Sequence, residues 1–190
     1  EIYTLSLHDA LPISTSGRRV RMLEIPAGTH TAPHSGLRYT LREPLILPRH
    51  SCLFLRGDNG AGKTSFLEHV LIAHIRASHT LSYLAQDLEL QENTMRATLA
   101  LLDISAAPAL PELAVDWILA SDCRDTLILD EFDKHLNESL FRKLCLQDFG
   151  WVICVSHLEL RTPYEALSRG YALNFRRQGT EVRLSPEELW

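Results

Sequence analysis

The amino-acid sequence predicts an α/β domain in which a mostly parallel sheet is flanked by helices. Two observations favour this class. Short apolar runs recur along the chain, and most are followed by a segment whose apolar residues have helical spacing. Strands that alternate with helices usually pair in parallel, and helices then cover both faces of the sheet. The 190 residues, of which 45% are hydrophobic, are enough for one core.

The first half of the chain contains three candidate strands and one helix. Residues 37–41 alternate apolar and polar side chains, as a half-buried strand does, and residues 51–55 (SCLFL) form a short run typical of a buried strand. Residues 65–76 have a wide apolar face at helical spacing and predict an amphipathic helix. Residues 81–84 follow as a further candidate strand.

The second half continues the alternation and ends in a hairpin. The predicted order is a helix at 94–102, a helix opened by Pro111, a strand at 126–129, a helix at 138–147 and a strand at 151–155. Proline favours the start of a helix because its missing N–H has no partner there in any case. Residues 171–175 and 181–184 flank a turn at Gly179 and predict a small antiparallel element.

A glycine-rich loop is the first feature that carries chemistry. Residues 57–64 (GDNGAGKT) fit the phosphate-binding pattern G-x-x-x-x-G-K-[ST], the P-loop, between a predicted strand and a predicted helix. Glycines let backbone N–H groups approach phosphate oxygens, and the helix adds the positive end of its dipole. Lys63 is expected to reach the β and γ phosphates, and the Thr64 hydroxyl to bind Mg²⁺. The predicted nucleotide-binding residues are Gly57, Asp58, Asn59, Gly60, Ala61, Gly62, Lys63, Thr64 and Ser65.

The strand at 126–129 delivers two carboxylates to its C-terminal end, where ligands bind in open α/β sheets. Asp130 is expected to hold Mg²⁺ together with Thr64, and Glu131 to orient or deprotonate the attacking water. A strand that ends in Asp-Glu is a weak signal by itself. Downstream of a P-loop in one domain it predicts an ATPase with ATP and Mg²⁺ as cofactors.

Two further segments resemble motifs of the ABC (ATP-binding cassette) ATPases. Residues 84–87 (LAQD) resemble the Q-loop of that family, and residues 154–157 (CVSH) resemble its switch-histidine loop. Residues 130–137 (DEFDKHLN) are similar to the family's DEPTNHLD segment. The specific signal is the order of the motifs along the chain, and the resemblance spans roughly residues 22–184.

The resemblance implies functional roles for particular residues, and it implies that the chain works with partner proteins. Gln86 would be a catalytic residue that also contacts the metal, and His157 would be a catalytic residue that contacts the γ phosphate. The implied fold is a P-loop NTPase of the ABC type with a reduced helical subdomain. The implied function is the ATPase subunit of a transporter, at the cytoplasmic face of a membrane, working with a second ABC ATPase subunit and a membrane permease. The alternatives are a soluble ABC-type ATPase that acts on ribosomes or nucleic acid, and a nucleotide-binding regulatory subunit.

The sequence departs from the family in three places. No LSGGQ signature lies between the Q-loop and Asp130, and the residues at the expected distance, 107–111 (APALP), contain no glycine. Their two prolines remove N–H donors, which makes contact with an anion poor. Asn137 replaces the usual aspartate of the D-loop. The aromatic residue that stacks on adenine in the family is not obvious: Tyr39 is near the right place but is expected to face the core of its strand, and His30 and His34 are weaker candidates.

Composition and charge exclude several other classes. The formal net charge is −5 and no block of Lys and Arg stands out, so nucleic acid is not the expected partner. The four cysteines have no metal-ligand spacing and suit a reducing cytosol. His69, His74 and His79 are five residues apart, so they do not share a helix face for a metal ion. No apolar run approaches the roughly eighteen residues of a membrane span.

The N-terminal residues need a separate interpretation. Residues 1–13 (EIYTLSLHDALPI) match the translation of a common sequencing adapter, so we expect them to be a library artefact. Residues 14–21 form an uncertain leader before Met22, a plausible start. We expect residues 22–190 to be a single ABC-ATPase-like nucleotide-binding domain.

Overall fold

The computed structural model describes residues 22–107, 109–131, 136–145, 147–155 and 169–190. The strands are β1 (Met22–Ile25), β2 (Gly28–Thr31), β3 (Arg38–Leu41), β4 (Leu45–Pro48), β5 (Ser51–Arg56), β6 (Leu81–Leu84), β7 (Thr126–Asp130), β8 (Trp151–Val155), β9 (Arg169–Gln178) and β10 (Glu181–Glu188). The helices are α1 (Lys63–Phe66), α2 (Ile72–Arg76), α3 (Glu92–Leu101), α4 (Leu110–Ala120) and α5 (Glu138–Cys145). A π-helical segment (Leu67–Leu71) joins α1 to α2, and a 3₁₀ turn (Leu88–Gln91) precedes α3.

The centre of the fold is an eight-stranded sheet in the order β2-β3-β10-β9-β5-β8-β7-β6. Its five strands from β9 to β6 are parallel, with β5 paired to β9 on one side and to β8 on the other. The other end of the sheet contains the antiparallel pairs β9–β10 and β2–β3, and β1 and β4 form a separate antiparallel pair. The predicted α/β class with a mostly parallel sheet is confirmed.

Helices cover both faces of the parallel strands, which explains why β7 and β8 are buried along their whole length and β5 up to Leu55. On one face, Leu53 and Leu55 pack in a cluster with Phe66 and Ile75 of the helical run from α1 to α2. On the other face, apolar residues of the same strands pack against α3, α4 and α5. The residues that represent this second layer are Cys52, Phe54, Met95, Leu113, Ile118 and Phe141. Successive strand residues point to opposite faces, so each strand serves both clusters.

The structure differs from the expected elements mainly at their ends. The helix after the P-loop begins at Lys63, two residues earlier than predicted, because Gly62 adopts a left-handed conformation immediately before it. The terminal hairpin is longer than predicted and includes Pro186 in β10. Proline is tolerated there because β3 pairs with β10 only as far as Leu184, so Pro186 lies beyond that pairing. Strands β1, β2 and β4 were missed. Among the described residues, no helix is long and apolar enough to cross a membrane.

Candidate functional site

Parallel pairing brings the predicted motifs to one edge of the sheet. In register, Leu55 of β5 pairs with Val155 of β8, and Val155 pairs with Asp130 of β7. The P-loop follows β5 directly, so it lies at the same edge as Asp130 with only β8 between them. This is the carboxyl edge, at which α/β sheets bind their ligands.

Three glycines hold the P-loop in conformations that disfavour other residues. Gly57, Gly60 and Gly62 have φ angles of 149°, 75° and 92°. A Cβ on Gly57 would lie 2.8 Å from the carbonyl oxygen of Phe175, and one on Gly62 would lie 2.8 Å from Leu37 Cδ1. Both contacts are closer than real Cβ atoms approach, so the loop needs glycine at these two positions.

Lys63 lies at the first position of α1 with its ammonium group inside the loop. Its Nζ donates to the carbonyl oxygens of Gly57 at 2.7 Å and Asp58 at 3.1 Å, and the residue is only 6% exposed. Burial lowers the pKa of Lys63, and the carboxylates of Glu131 and Asp130 partly oppose that shift. A buried cation at a helix N-terminus is suited to bind an anion.

Thr64 and Asp130 meet although they come from α1 and β7. The Thr64 hydroxyl donates to Asp130 Oδ1 at 3.4 Å, and the second oxygen, Oδ2, is buried without a hydrogen-bond partner among the described residues. Burial raises the pKa of Asp130 to about 6; the Thr64 hydrogen bond opposes this, and nearby Glu131 and Glu68 add to it. A buried, unsatisfied carboxylate oxygen beside a hydroxyl fits a small divalent cation, since Mg²⁺ takes oxygen ligands of this kind.

Glu131 has a backbone conformation that is unusual for a glutamate. Its φ is 49°, in the left-handed region, and its N–H donates to the carbonyl oxygen of Val155 at 2.8 Å. Such strain clusters at functional sites, where surrounding contacts keep it in place. The chain therefore leaves the sheet immediately after Asp130, and the half-buried Glu131 lies at the same edge.

Gln86 is exposed and lies two residues beyond the end of β6. The backbone before it is fixed by a residue that the sequence analysis missed. The Gln91 side chain accepts from the N–H of Ala85 at 3.0 Å and donates to the carbonyl of Tyr83 at 3.2 Å. Gln91 thus pairs with the free edge of β6 as a neighbouring strand would.

The other predicted residues have mixed outcomes. Ser65 Oγ lies 2.9 Å from Ser35 Oγ, so the turn between β2 and β3 touches the start of α1. Asn137 caps α5, because its Oδ1 accepts from the N–H of Leu140 at 2.9 Å. The N-terminus of α4, at the position expected for the signature, has no side-chain cap. His157 lies outside the described residues, so its role stays a prediction.

The histidines and Tyr39 make contacts of their own. Tyr39 is fully buried and donates its hydroxyl hydrogen to the carbonyl of Gly62 at 2.9 Å. The ring of His34 lies 5.1 Å from that of His69, and His74 Nε2 lies 2.6 Å from the carbonyl of Glu24. His79 packs edge-on against a buried tryptophan. In the part of the chain that the structure describes, no group of His, Cys, Asp and Glu could hold a metal ion by itself.

Comparison with known proteins identifies the fold. No family model matches the sequence, and no curated protein matches it. A solved structure described as a metal-chelate type ABC transporter in an inward-facing conformation matches with a TM-score of 0.50 and 12% identity, over 90% of this chain and 98% of that chain. CbiO1 from Clostridium perfringens, part of the ABC transporter complex CbiONQ, matches with a TM-score of 0.54 and 11% identity, over 85% of this chain and 86% of that chain. This chain therefore shares its fold with these two ABC transporter structures.

Proposed function

We propose that this protein is the ATP-binding and ATP-hydrolysing subunit of an ABC transporter, which couples Mg-ATP to a membrane permease. The observation that carries the proposal is the Thr64–Asp130 pair beside the buried ammonium group of Lys63. A P-loop, a hydroxyl and an unsatisfied carboxylate oxygen meet at the carboxyl edge of the sheet. The fold supports the proposal because the two structures compared above belong to ABC transporters.

Each residue of the site has its own proposed role in hydrolysis. The P-loop N–H groups and Lys63 bind the β and γ phosphates, and Lys63 exchanges its loop carbonyls for phosphate oxygens. Thr64 and Asp130 would hold Mg²⁺, which would neutralise charge on the phosphate oxygens. Glu131 orients the attacking water and takes its proton as the γ phosphate leaves ADP. Gln86 would contact the metal and the water, and His157, which lies outside the described residues, would contact the γ phosphate.

The missing signature points to a second subunit. The residues at the signature position, 107–111 (APALP), have no hydroxyl, and their two prolines have no N–H to donate to a phosphate, so the chain would complete another subunit's site poorly. Its own P-loop can still be completed by a partner that has an intact signature. We therefore propose that residues 22–190 act as one domain in a dimer with a second ABC ATPase subunit, held by the permease at the cytoplasmic face of the membrane.

Calorimetry and phosphate release test the proposal on the full chain. We expect wild-type protein to bind Mg-ATP, and Lys63→Ala to lose all or nearly all binding because the phosphates lose their buried cation. Normal binding by Lys63→Ala would remove the P-loop from the mechanism. Mg-ATP binding without any phosphate release, even with a signature-bearing partner, would instead favour the regulatory subunit.

Light scattering tests the dimer. A catalytically slowed variant, Glu131→Gln, should hold ATP long enough for a closed dimer to accumulate. If Mg-ATP converts this variant from monomer to dimer, two copies of the chain are sufficient. If it binds ATP and stays monomeric, homodimer formation is excluded and a different subunit must supply the partner surface.

A further inference from the structure

The residues described above bind phosphates and metal, but none of them offers a surface for the base of the nucleotide. Tyr39 is buried and its hydroxyl is bonded to the P-loop, so neither face of its ring is open. His30 lies 3.0 Å from the carbonyl of Pro26 through Nε2, and His34 packs on His69. Tyr39 is therefore closed to the base, and the exposed His34 already packs on another ring.

An open groove lies against the P-loop on its β9 side. Residues 58–61 of the loop form one wall, and residues 175–179, at the end of β9 and the turn to β10, form the other. The groove has a volume of about 640 Å³, within the range of roughly 300–1,000 Å³ that is usual for small-molecule sites. The walls stay close because Gly57, at the base of the loop, packs directly on the backbone of Phe175.

The topology places this groove at the correct end of a bound nucleotide. β5, which carries the P-loop, lies between β9 on one side and β8 and then β7 on the other. Thr64 and Asp130 define the metal and γ-phosphate end on the β7 side. A nucleoside triphosphate is elongated, with its base at the end opposite the γ phosphate. A base that points away from β7 therefore extends towards β9, where the groove lies.

Arg177 connects the two walls of the groove. Its NH1 group donates to the carbonyl oxygen of Gly60 at 2.7 Å, and its Nε donates to that of Gly179 at 2.7 Å. The side chain is exposed, yet these two bonds hold its guanidinium plane in one orientation. Planar guanidinium groups stack on the faces of bases.

We propose that this groove binds the base of the nucleotide and that Arg177 is the surface on which the base stacks. The proposal rests on the proposed function, because the ligand is the same nucleotide. Arg177 also joins base binding to the phosphate site, since its bond to Gly60 fixes the loop that surrounds the phosphates.

Two ligands separate a base contact from support of the loop. Mg-ATP and Mg-tripolyphosphate share the phosphate chain, but only ATP has a base. We expect Arg177→Ala to weaken ATP binding about ten-fold more than tripolyphosphate binding in calorimetry, in line with the usual effect of losing one stacking partner. Arg183→Ala is the matched control, because Arg183 is an exposed arginine of β10 outside the groove lining, and it should leave both affinities unchanged.

The outcomes are distinguishable. Equal weakening of both ligands, or of neither, would overturn the base site while the ATPase proposal stands. Wild-type protein that binds neither ligand would remove the ATPase proposal itself, and the base site with it.

A second measurement needs no variant. Photolabelling of the wild-type chain with 8-azido-ATP should attach the base to residues 58–61 or 175–179. Labelling of residues 32–37, the turn that contains His34, would overturn the proposal and restore a histidine as the base contact.

Discussion

Replacing Asp130 with asparagine should stabilise the metal-free protein at neutral pH, although it removes a predicted metal ligand. Burial raises the pKa of Asp130 from 3.8 to about 6, so the folded state binds its proton more tightly than the unfolded state does. Well below pH 3.8 the carboxyl group is neutral in both states, so its burial does not lower the stability of the folded state. As the pH rises from 4 to 6 the unfolded chain ionises first, so the folded state loses stability. Well above pH 6 both states are ionised, and the full effect of the raised pKa is present, which corresponds to about 3 kcal/mol.

Urea denaturation of Asp130→Asn and wild-type protein, without Mg²⁺ or nucleotide, measures this effect. The amide is neutral at every pH and keeps an oxygen that can accept from Thr64. We expect the variant to be more stable by up to about 3 kcal/mol at pH 7.5 and nearly equal to wild type at pH 4. The exposed Asp122 provides the control, because Asp122→Asn should change the free energy of unfolding little at either pH. A stability difference for Asp130→Asn that does not vary with pH would refute the reasoning.

Three further predictions concern other parts of the site. Glu131→Gln should keep Mg-ATP binding and slow phosphate release by orders of magnitude, because water loses its proton acceptor; an unchanged rate would remove Glu131 from the mechanism. Gly62→Ala should lower the free energy of unfolding by about 1–3 kcal/mol and weaken ATP binding, because its Cβ would clash inside the loop. Gly36→Ala is the control: Gly36 also has a positive φ but open space at its Cβ, so this variant should leave ATP binding intact. Equal losses of ATP binding in the two variants would contradict a specific clash in the loop. Gln91→Ala should lower the rate of hydrolysis more than the affinity for ATP, because it frees the end of β6 just before Gln86; a loss confined to stability would make Gln91 purely structural.

Much of the site could be predicted because its chemistry is encoded in short segments. The P-loop pattern spans eight positions and fixes the residue type at four of them, and the apolar strand before Asp130 indicates which edge of the sheet that carboxylate reaches. Parallel pairing then brings the P-loop and Asp130 together, since the C-terminal ends of β5 and β7 lie at the same edge of the sheet. The contact between Thr64 and Asp130 therefore follows from local patterns combined with one rule of topology.

The missed strands are short, and their signals are weak. β1, β2 and β4 have four residues each, and β2 contains a glycine and two threonines with little apolar character. In β1 the alternation of exposed and buried residues is regular, but four residues are too few to separate a strand from a loop by periodicity. β1 and β4 form by pairing with each other across the intervening β2 and β3, and β2 by pairing with β3, so each depends on a partner strand that its own four residues do not indicate.

Arg177 and Gln91 could not have been found from sequence for a different reason. Both side chains bond to backbone groups, and every residue has a backbone carbonyl whatever its identity. The bond from Arg177 to Gly60 spans 117 positions, so only the fold brings the two together. Motifs therefore show which residues can meet phosphate and metal, whereas the contacts that fix those residues depend on three-dimensional proximity. The proposed base site likewise depends on proximity, because its groove lies between the P-loop and the end of β9 with its turn, and neither segment alone indicates a groove.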